Sequence, residues 1–265
     1  MKDEHEKTVR PIIRWAGGKR RLLKKLLPIL PEHCCYCEPF MGGLAVLLAK
    51  PRSKVEVVND LNRDLVALYR NLQYHFEAFV SEIEWDLGSR ATLEDFKAQT
   101  GLTEIQRCSR WFIRNKISFG GGFTSFAVSR KSGGGAGFCR RLLLENLAEF
   151  RDRMDRVVVE NLSYERCLEL YDSPETLFFL DPPYIDSQCN NYSGFTKEQM
   201  NDLKARIEKL RGKWILTVDD STFNRELFSE YCIESVETRN GTVNRALFPD
   251  KVFGELIITP TTLKK

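Results

Sequence analysis

The sequence predicts an α/β fold in which a helix-flanked sheet is interrupted by a mainly helical insert. Three observations carry the prediction. Short apolar runs alternate with helical patterns along most of the 265 residues. One run, Thr176-Leu177-Phe178-Phe179-Leu180, is almost continuously apolar and so reads as a strand buried on both faces. From Trp85 to Arg156 the alternation of strand and helix stops. A hydrophobic composition of 42% suits one large domain or a core domain with an insert, and the boundaries fall at 1–84, 85–156 and 157–265.

Residues 1–10 are charged and expected to fray. Gly17-Gly18 forms a hinge ahead of a helical pattern at Leu22, Leu23, Leu26, Leu27 and Leu30. Main-chain N–H groups at such a helix start suit an anionic group, and Lys19 adds a positive charge; an ordinary turn with a solvated lysine is the alternative. Tyr36-Cys37-Glu38 reads as a strand that passes through Pro39-Phe40-Met41-Gly42-Gly43 into a helix over Leu44–Lys50. The glycines let a ligand approach the backbone. Val55–Val58 is a second strand, ending in Asn59-Asp60. Asp60 lies 18 residues beyond Gly42. An acid at that distance, on the next strand's end, is the arrangement that binds a ribose hydroxyl. A sugar-bearing cofactor is implied; an N-cap of the helix expected over Leu61–Ile83 is the other role open to Asp60.

Helices over Leu93–Gln99 and Glu104–Lys116 lead into two glycine clusters. From Arg107 through Arg141 the chain carries eight Arg or Lys and no Asp or Glu, with six aromatics interleaved: Trp111, Phe112, Phe119, Phe123, Phe126 and Phe138. Basic side chains neutralise phosphates and aromatic rings stack on bases or wedge between them, so this stretch reads as a nucleic-acid surface. A solvated basic face with a flexible linker is the bland alternative. Arg114, Asn115 and Lys116 are candidate base or phosphate contacts, Arg239 and Arg245 on a later turn are candidate phosphate contacts on charge alone, and Arg130 and Lys131 in the glycine-rich stretch are further DNA-binding candidates.

A helix over Arg141–Asp155 closes the insert, and Val157–Glu160 restarts the sheet. A short helix to Leu170, the strand 176–181, a polar loop from Ile185 to Gly194 and a helix over Lys197–Leu210 follow. Trp214–Val218 is a fifth strand, Thr222–Ser229 a helix, and Cys232–Glu237 and Val252–Thr259 the last two strands.

The chemistry concentrates at Asp181-Pro182-Pro183-Tyr184. Pro182 has no N–H for the ladder, and Pro183 keeps the chain extended. An acid, two carbonyls and a ring therefore share the carboxyl end of a buried strand, where open α/β sheets bind ligands. No Ser–His–Asp set is visible, since His5, His33 and His75 all lie outside the strand-end motifs. No metal site is expected: His33-Cys34-Cys35-Tyr36-Cys37 lacks a second ligand pair, and these cysteines read as small apolar residues entering a strand. The eight cysteines without a signal-peptide pattern, and the lack of a long apolar run, suit a soluble cytoplasmic protein with reduced thiols. The net charge of +3 says little about partners. The remaining set fits an acceptor site for the exocyclic amine of a base. Adenine N6 is a poor nucleophile because its lone pair is conjugated into the ring. The Asp181 carboxylate and the Pro182 carbonyl can accept its two hydrogens and aim the lone pair at a methyl donor, with Tyr184 stacked on the base. A duplex base must be flipped out to reach such a pocket. Covalent attack on cytosine C5 would want a nucleophilic cysteine, typically after proline, and the chain has no Pro-Cys pair.

Trp15-Ala16-Gly17-Gly18-Lys19, Glu38-Pro39-Phe40-Met41-Gly42-Gly43, Asn59-Asp60 and Asp181-Pro182-Pro183-Tyr184 occur in that order. Together they resemble the Dam-type family of DNA adenine-N6 methyltransferases, from about residue 11 to the final strand. The resemblance implies a Rossmann-like mixed seven-stranded methyltransferase sheet with an inserted target-recognition domain. It implies S-adenosylmethionine as methyl donor, held by Trp15, Lys19, Asp60 and Asp181, with Asp60 on the ribose and Glu38, Phe40 and Gly42 nearby. Ser163 and Tyr164 match the segment that abuts the cofactor's adenine, and Asp181, Pro182, Pro183 and Tyr184 would be catalytic. Double-stranded DNA is the implied substrate, and a cognate restriction endonuclease a candidate partner. Two positions depart from the family: Leu44 replaces a small residue of the glycine turn, and the insert does not match the hairpin that reads GATC. A non-catalytic DNA-binding module, or a methyltransferase acting on RNA or on cytosine N4, are the alternative readings.

Overall fold

The computed structural model describes residues 8–86, 88–127, 139–185, 194–239 and 252–260, with the backbone alone at 238–239 and 252–253. Among these, seven strands form one sheet: β1 (Cys35–Glu38), β2 (Val55–Asn59), β3 (Val157–Glu160), β4 (Thr176–Leu180), β5 (Lys213–Asp219), β6 (Cys232–Arg239) and β7 (Val252–Thr259). The spatial order is β3-β2-β1-β4-β5-β7-β6. The first five strands pair in parallel, and β7 inserts antiparallel between β5 and β6.

Each expected strand is present; the central ones are apolar on two faces, whereas β3 alternates buried and exposed residues and the edge strand β6 is at most half-buried in its described side chains. In β4 all five residues are buried. Leu177 and Phe179 point into one hydrophobic cluster, Phe178 and Leu180 into the other, as the two-residue period of a strand requires. The helices cover both faces. Those between β1 and β3 are α2 (Ala45–Ala49), α3 (Arg63–Tyr74), α4 (Phe76–Ile83), α5 (Arg90–Ala98), α6 (Glu104–Ile117) and α7 (Arg140–Met154), preceded by the short α1 (Leu23–Leu26). They pack on the first face. The later helices α8 (Tyr164–Tyr171), α9 (Lys197–Ile207) and α10 (Thr222–Leu227) serve the second.

Two helices differ from expectation. The leucine pattern at 22–30 yields only the four residues of α1 between two 3-10 turns, since Pro28 and the acid-free first turn give a longer helix no support. The helix expected over 61–83 breaks at His75, whose φ of −132° is non-helical, and its N-cap is Asn62, not Asp60. Asn62 Oδ1 accepts from the N–H groups of Asp64 and Leu65.

The helices of the insert have no separate core. Leu93 of α5, Phe112 and Ile113 of α6, and Leu147 and Phe150 of α7 belong to the same cluster as Leu65 and Tyr69 of α3 and Tyr36 of β1. A buried charge cluster ties α7 to the sheet: Arg153 meets Glu56 at 2.6 Å, and Lys50 meets the same carboxylate at 2.6 Å. No helix of the described residues is long and apolar enough to cross a membrane.

Candidate functional site

Consecutive strands β1 and β2 run outward from the middle of the sheet, and β4 lies on the other side of β1. The chain therefore switches direction between β1 and β4, the place where open parallel sheets form a crevice at their carboxyl ends. A cavity of about 780 Å³ opens there. All the residues expected to meet a cofactor line it, from Trp15 and Lys19 through Glu38, Phe40, Gly42 and Asp60 to Ser163 and Tyr164. So do Asp181, Pro182, Pro183 and Tyr184.

At the β4 end, Asp181 is 21% exposed. Its Oδ1 meets Lys19 Nζ at 2.8 Å and accepts from the Thr217 hydroxyl at 2.9 Å. Both donors use Oδ1, so Oδ2 has no protein donor among the described residues. Burial pushes the carboxyl's pKa up, and Lys19 and Thr217 partly restore it. Lys19 is buried and also donates to the Gly17 carbonyl at 2.7 Å and the Tyr184 hydroxyl at 3.3 Å. Thr217 was not singled out from the sequence. Its signal is a hydroxyl in the otherwise apolar strand Trp214–Val218, where a buried polar group needs a partner.

At the β1 and β2 ends, Asp60 Oδ2 accepts from Gly42 N–H at 3.2 Å and Oδ1 from Asn62 N–H at 2.9 Å. Burial raises its pKa against those bonds. Gly42 has φ +43°, and a Cβ there would stand 2.8 Å from Trp15 Nε1. The glycine is thus required by the indole that covers it. Leu44, the departure from the family pattern, holds the left-handed conformation at φ 58°. That costs about 1–2 kcal/mol, and complete burial of the side chain offsets it. Asn59 joins the loops, donating to the carbonyls of Pro39 and Leu162 at 2.9 and 3.1 Å. Glu38 turns its Oε1 toward the Tyr36 hydroxyl and the Leu47 N–H of α2, at 2.8 and 2.9 Å. Burial pushes its carboxyl up to about 7.

The third wall is aromatic. Phe40, Tyr164 and Phe195 stand with ring centroids 5.4 to 5.9 Å apart. The Tyr164 hydroxyl donates to Asp202 at 2.8 Å, and Ser163 caps α8. Phe195, also missed in the sequence, precedes the capping box of Thr196 and Gln199 and is buried in one cluster with Met200. An apolar residue just before a capping box is a hydrophobic staple, and that was the readable signal. Its N–H donates to the Tyr184 carbonyl at 3.3 Å, which joins this wall to the β4 end.

These groups fit a nucleoside-bearing cofactor: an acid for ribose hydroxyls, an aromatic wall for a base, and a glycine turn lining the cavity beside them. Among the described residues no group of three or more His, Cys, Asp or Glu is placed to hold a metal ion.

The expected DNA contacts divide. Lys116 lines the cavity, where burial and the charge of Arg14 pull its pKa down to about 8. Arg114 is half-buried with its guanidinium over the Phe123 ring at 5.5 Å. Asn115 corrects the expectation. It is 0% exposed, its Oδ1 accepts from Arg14 N–H, and its two amide hydrogens go to the carbonyls of Arg14 and Gly121. It has no hydrogen left for a base or phosphate. Arg130, Lys131, Arg245 and the side chain of Arg239 lie outside the described residues, as does Phe138. Of the other five aromatics between Arg107 and Arg141, Trp111, Phe112, Phe123 and Phe126 pack inward, whereas Phe119 is 59% exposed on the glycine turn after α6.

The chain is 25% identical over 233 residues to the Type II methyltransferase M.CviBI of Paramecium bursaria Chlorella virus NC1A, covering 84% of this chain and 88% of that protein. It is 24% identical over 278 residues to the Type II methyltransferase M1.LlaDCHI of Lactococcus lactis subsp. cremoris, covering 95% of each. A DNA adenine methylase of Haemophilus influenzae is 23% identical over 243 residues, covering 83% of each. Residues 15–242 match the D12 class N6 adenine-specific DNA methyltransferases, a span that includes both the glycine turn and the β4 end. The chain belongs to that family and is an enzyme that transfers a methyl group from S-adenosylmethionine to the N6 amine of adenine in DNA.

Proposed function

We propose that the cavity between β1 and β4 holds S-adenosylmethionine beside a flipped adenine, with Asp181 to Tyr184 as the amine acceptor. One observation carries this reading. Lys19 and Thr217 both engage Asp181 Oδ1, which leaves Oδ2 without a protein donor among the described residues, on a residue that lines the cavity. With the Pro182 carbonyl beside it, that oxygen takes the two hydrogens of an exocyclic amine and turns the nitrogen lone pair outward. Tyr184 stacks on the base, its hydroxyl steadied by Lys19. Asp60, held by Gly42, takes the ribose hydroxyls, and Trp15, Phe40 and Tyr164 enclose the cofactor with Ser163 and Glu38 behind them. The bound cofactor supplies an activated methyl group; the protein supplies position.

The 85–156 segment is the part that meets double-stranded DNA. Arg114 and Lys116 on α6, with Arg130, Lys131, Arg239 and Arg245, answer its phosphates. Exposed Phe119 suits a wedge that fills the gap left by the extruded base. The Type II names of two relatives support a cognate restriction endonuclease as partner, in the cytoplasm of a bacterial or phage-infected cell.

The test is incubation with labelled S-adenosylmethionine and unmethylated DNA of mixed sequence, followed by digestion to nucleosides. N6-methyladenine is expected from the wild type and none from Asp181→Ala, with DNA affinity largely retained. Label on cytosine N4 would overturn the reading, and so would wild-type protein that binds DNA without methylating it.

A further inference from the structure

Asn115 stands between Arg114 and Lys116 on the basic helix, yet it faces the interior. Its carboxamide pairs with the main chain of one residue in both directions. Oδ1 accepts from Arg14 N–H at 2.9 Å, and Nδ2 donates to the Arg14 carbonyl at 2.9 Å. The remaining Nδ2 hydrogen goes to the Gly121 carbonyl at 3.2 Å. This is the two-way exchange that a neighbouring strand offers, supplied here by a side chain to a segment outside the sheet. Gly121 closes the latch. It has φ +76°, and a Cβ there would stand 2.5 Å from the Arg14 carbonyl oxygen.

The latch holds the residue immediately before Trp15. The Trp15 indole covers Gly42, and Trp111 of α6 supports it at 6.4 Å between ring centroids. Gly42 in turn holds Asp60. The path from Asn115 to the cavity is therefore short and polar at its start: carboxamide, Arg14 main chain, Trp15 ring, glycine turn, Asp60.

The structure assigns Asn115 to the cofactor side of the enzyme, as a positioning residue that fixes Trp15 against the glycine turn and so sets the affinity for S-adenosylmethionine. The assignment rests on the reading of the cavity as the cofactor's. It is the opposite of what the neighbouring charges in the sequence suggest, namely a contact with DNA.

Binding of S-adenosylhomocysteine by titration calorimetry, and of a mixed-sequence DNA duplex by anisotropy, separates the two. For Asn115→Ala, which loses all three hydrogen bonds, the ligand is expected to bind about ten-fold more weakly while DNA affinity stays within about two-fold. Asn115→Asp keeps the acceptor for Arg14 N–H but presents a carboxylate to two carbonyls, and is expected to behave likewise. Gly121→Ala, whose Cβ would stand 2.5 Å from the Arg14 carbonyl oxygen and 2.8 Å from Asn115 Nδ2, crowds both sides of the latch and should show the same signature. A folded Asn115→Ala protein with wild-type affinity for S-adenosylhomocysteine overturns the assignment, as does a loss confined to DNA affinity. Where a variant does not fold, hydrogen exchange on the wild type decides. S-adenosylhomocysteine should slow exchange in residues 11–19, and unchanged exchange there rejects the latch. Wild-type protein that does not bind S-adenosylhomocysteine removes the reading of the cavity and this assignment with it.

Discussion

Lys19 Nζ lies 2.8 Å from Asp181 Oδ1 although the two residues are far apart in the chain, and the lysine is buried. The pair opposes the effect of burial on the carboxyl, whose pKa is raised mainly by desolvation and lowered by Lys19 and Thr217. As the proposed amine acceptor, Asp181 must be ionised to take amine hydrogens, so activity is expected to fall as pH drops through that raised pKa. Lys19→Gln removes the largest opposing influence. The acidic limb of the kcat/KM profile should move to higher pH, which a pH-rate series on wild type and variant measures.

Thr217→Val keeps the shape of the buried side chain and deletes its hydrogen bond to Asp181. We expect kcat to fall about ten-fold, near the value of one hydrogen bond to a charged group. The KM for S-adenosylmethionine should change little, and Thr217→Ser should restore most of the rate. Steady-state kinetics on the three proteins test this.

Lys116 has a pKa pulled down to about 8. Its charge is complete below that pH and lost as pH rises through it. If Lys116 holds a phosphate, DNA affinity should weaken between pH 7 and 9 by roughly five-fold more in the wild type than in Lys116→Arg, whose guanidinium stays charged. Anisotropy at constant low salt is the measurement. Equal weakening of both proteins removes Lys116 from the interface.

Phe119→Ala removes an exposed ring that the folded protein does not use for its core. Thermal stability should be unchanged within about 0.5 kcal/mol, the usual range for a surface substitution. Methylation of duplex DNA should fall, and fall less on a duplex whose target adenine is mismatched, since extrusion is then easier. Equal losses on both duplexes would argue against a wedge.

Glu56→Ala strips the shared partner of Lys50 and Arg153, all three buried. Breaking such a cluster leaves two uncompensated charges, and denaturant unfolding should show a loss of about 3–5 kcal/mol.

The centre of the sheet was legible because its strands are largely apolar runs closed by acids or prolines, and β4 is buried at all five positions. The cavity was legible because its residues sit at strand ends, where the fold places any ligand. What the sequence hid depends on helix phase and on partners distant in the chain. Asn115 follows Cys108 and Phe112 at spacings of four and three, on the buried stripe of α6; reading it by its charged neighbours ignored that phase. The break at His75 is hidden because apolar residues continue on both sides, Leu72 before and Phe79 after. The aromatics between Arg107 and Arg141 suggested stacking on bases, but four of the five described rings in that stretch support the protein's own core. The antiparallel place of β7 is set by pairing across the sheet, which no local pattern encodes.

Because Leu93, Phe112, Ile113, Leu147 and Phe150 complete the same hydrophobic cluster as Leu65, Tyr69 and Tyr36, the segment between α4 and β3 is no detachable cassette. Grafting the corresponding stretch from a relative would also replace part of the packing behind the sheet. If α6 and the turn that follows it meet DNA as proposed, altered specificity in this chain is better sought by point changes on their exposed positions, where the core has no stake.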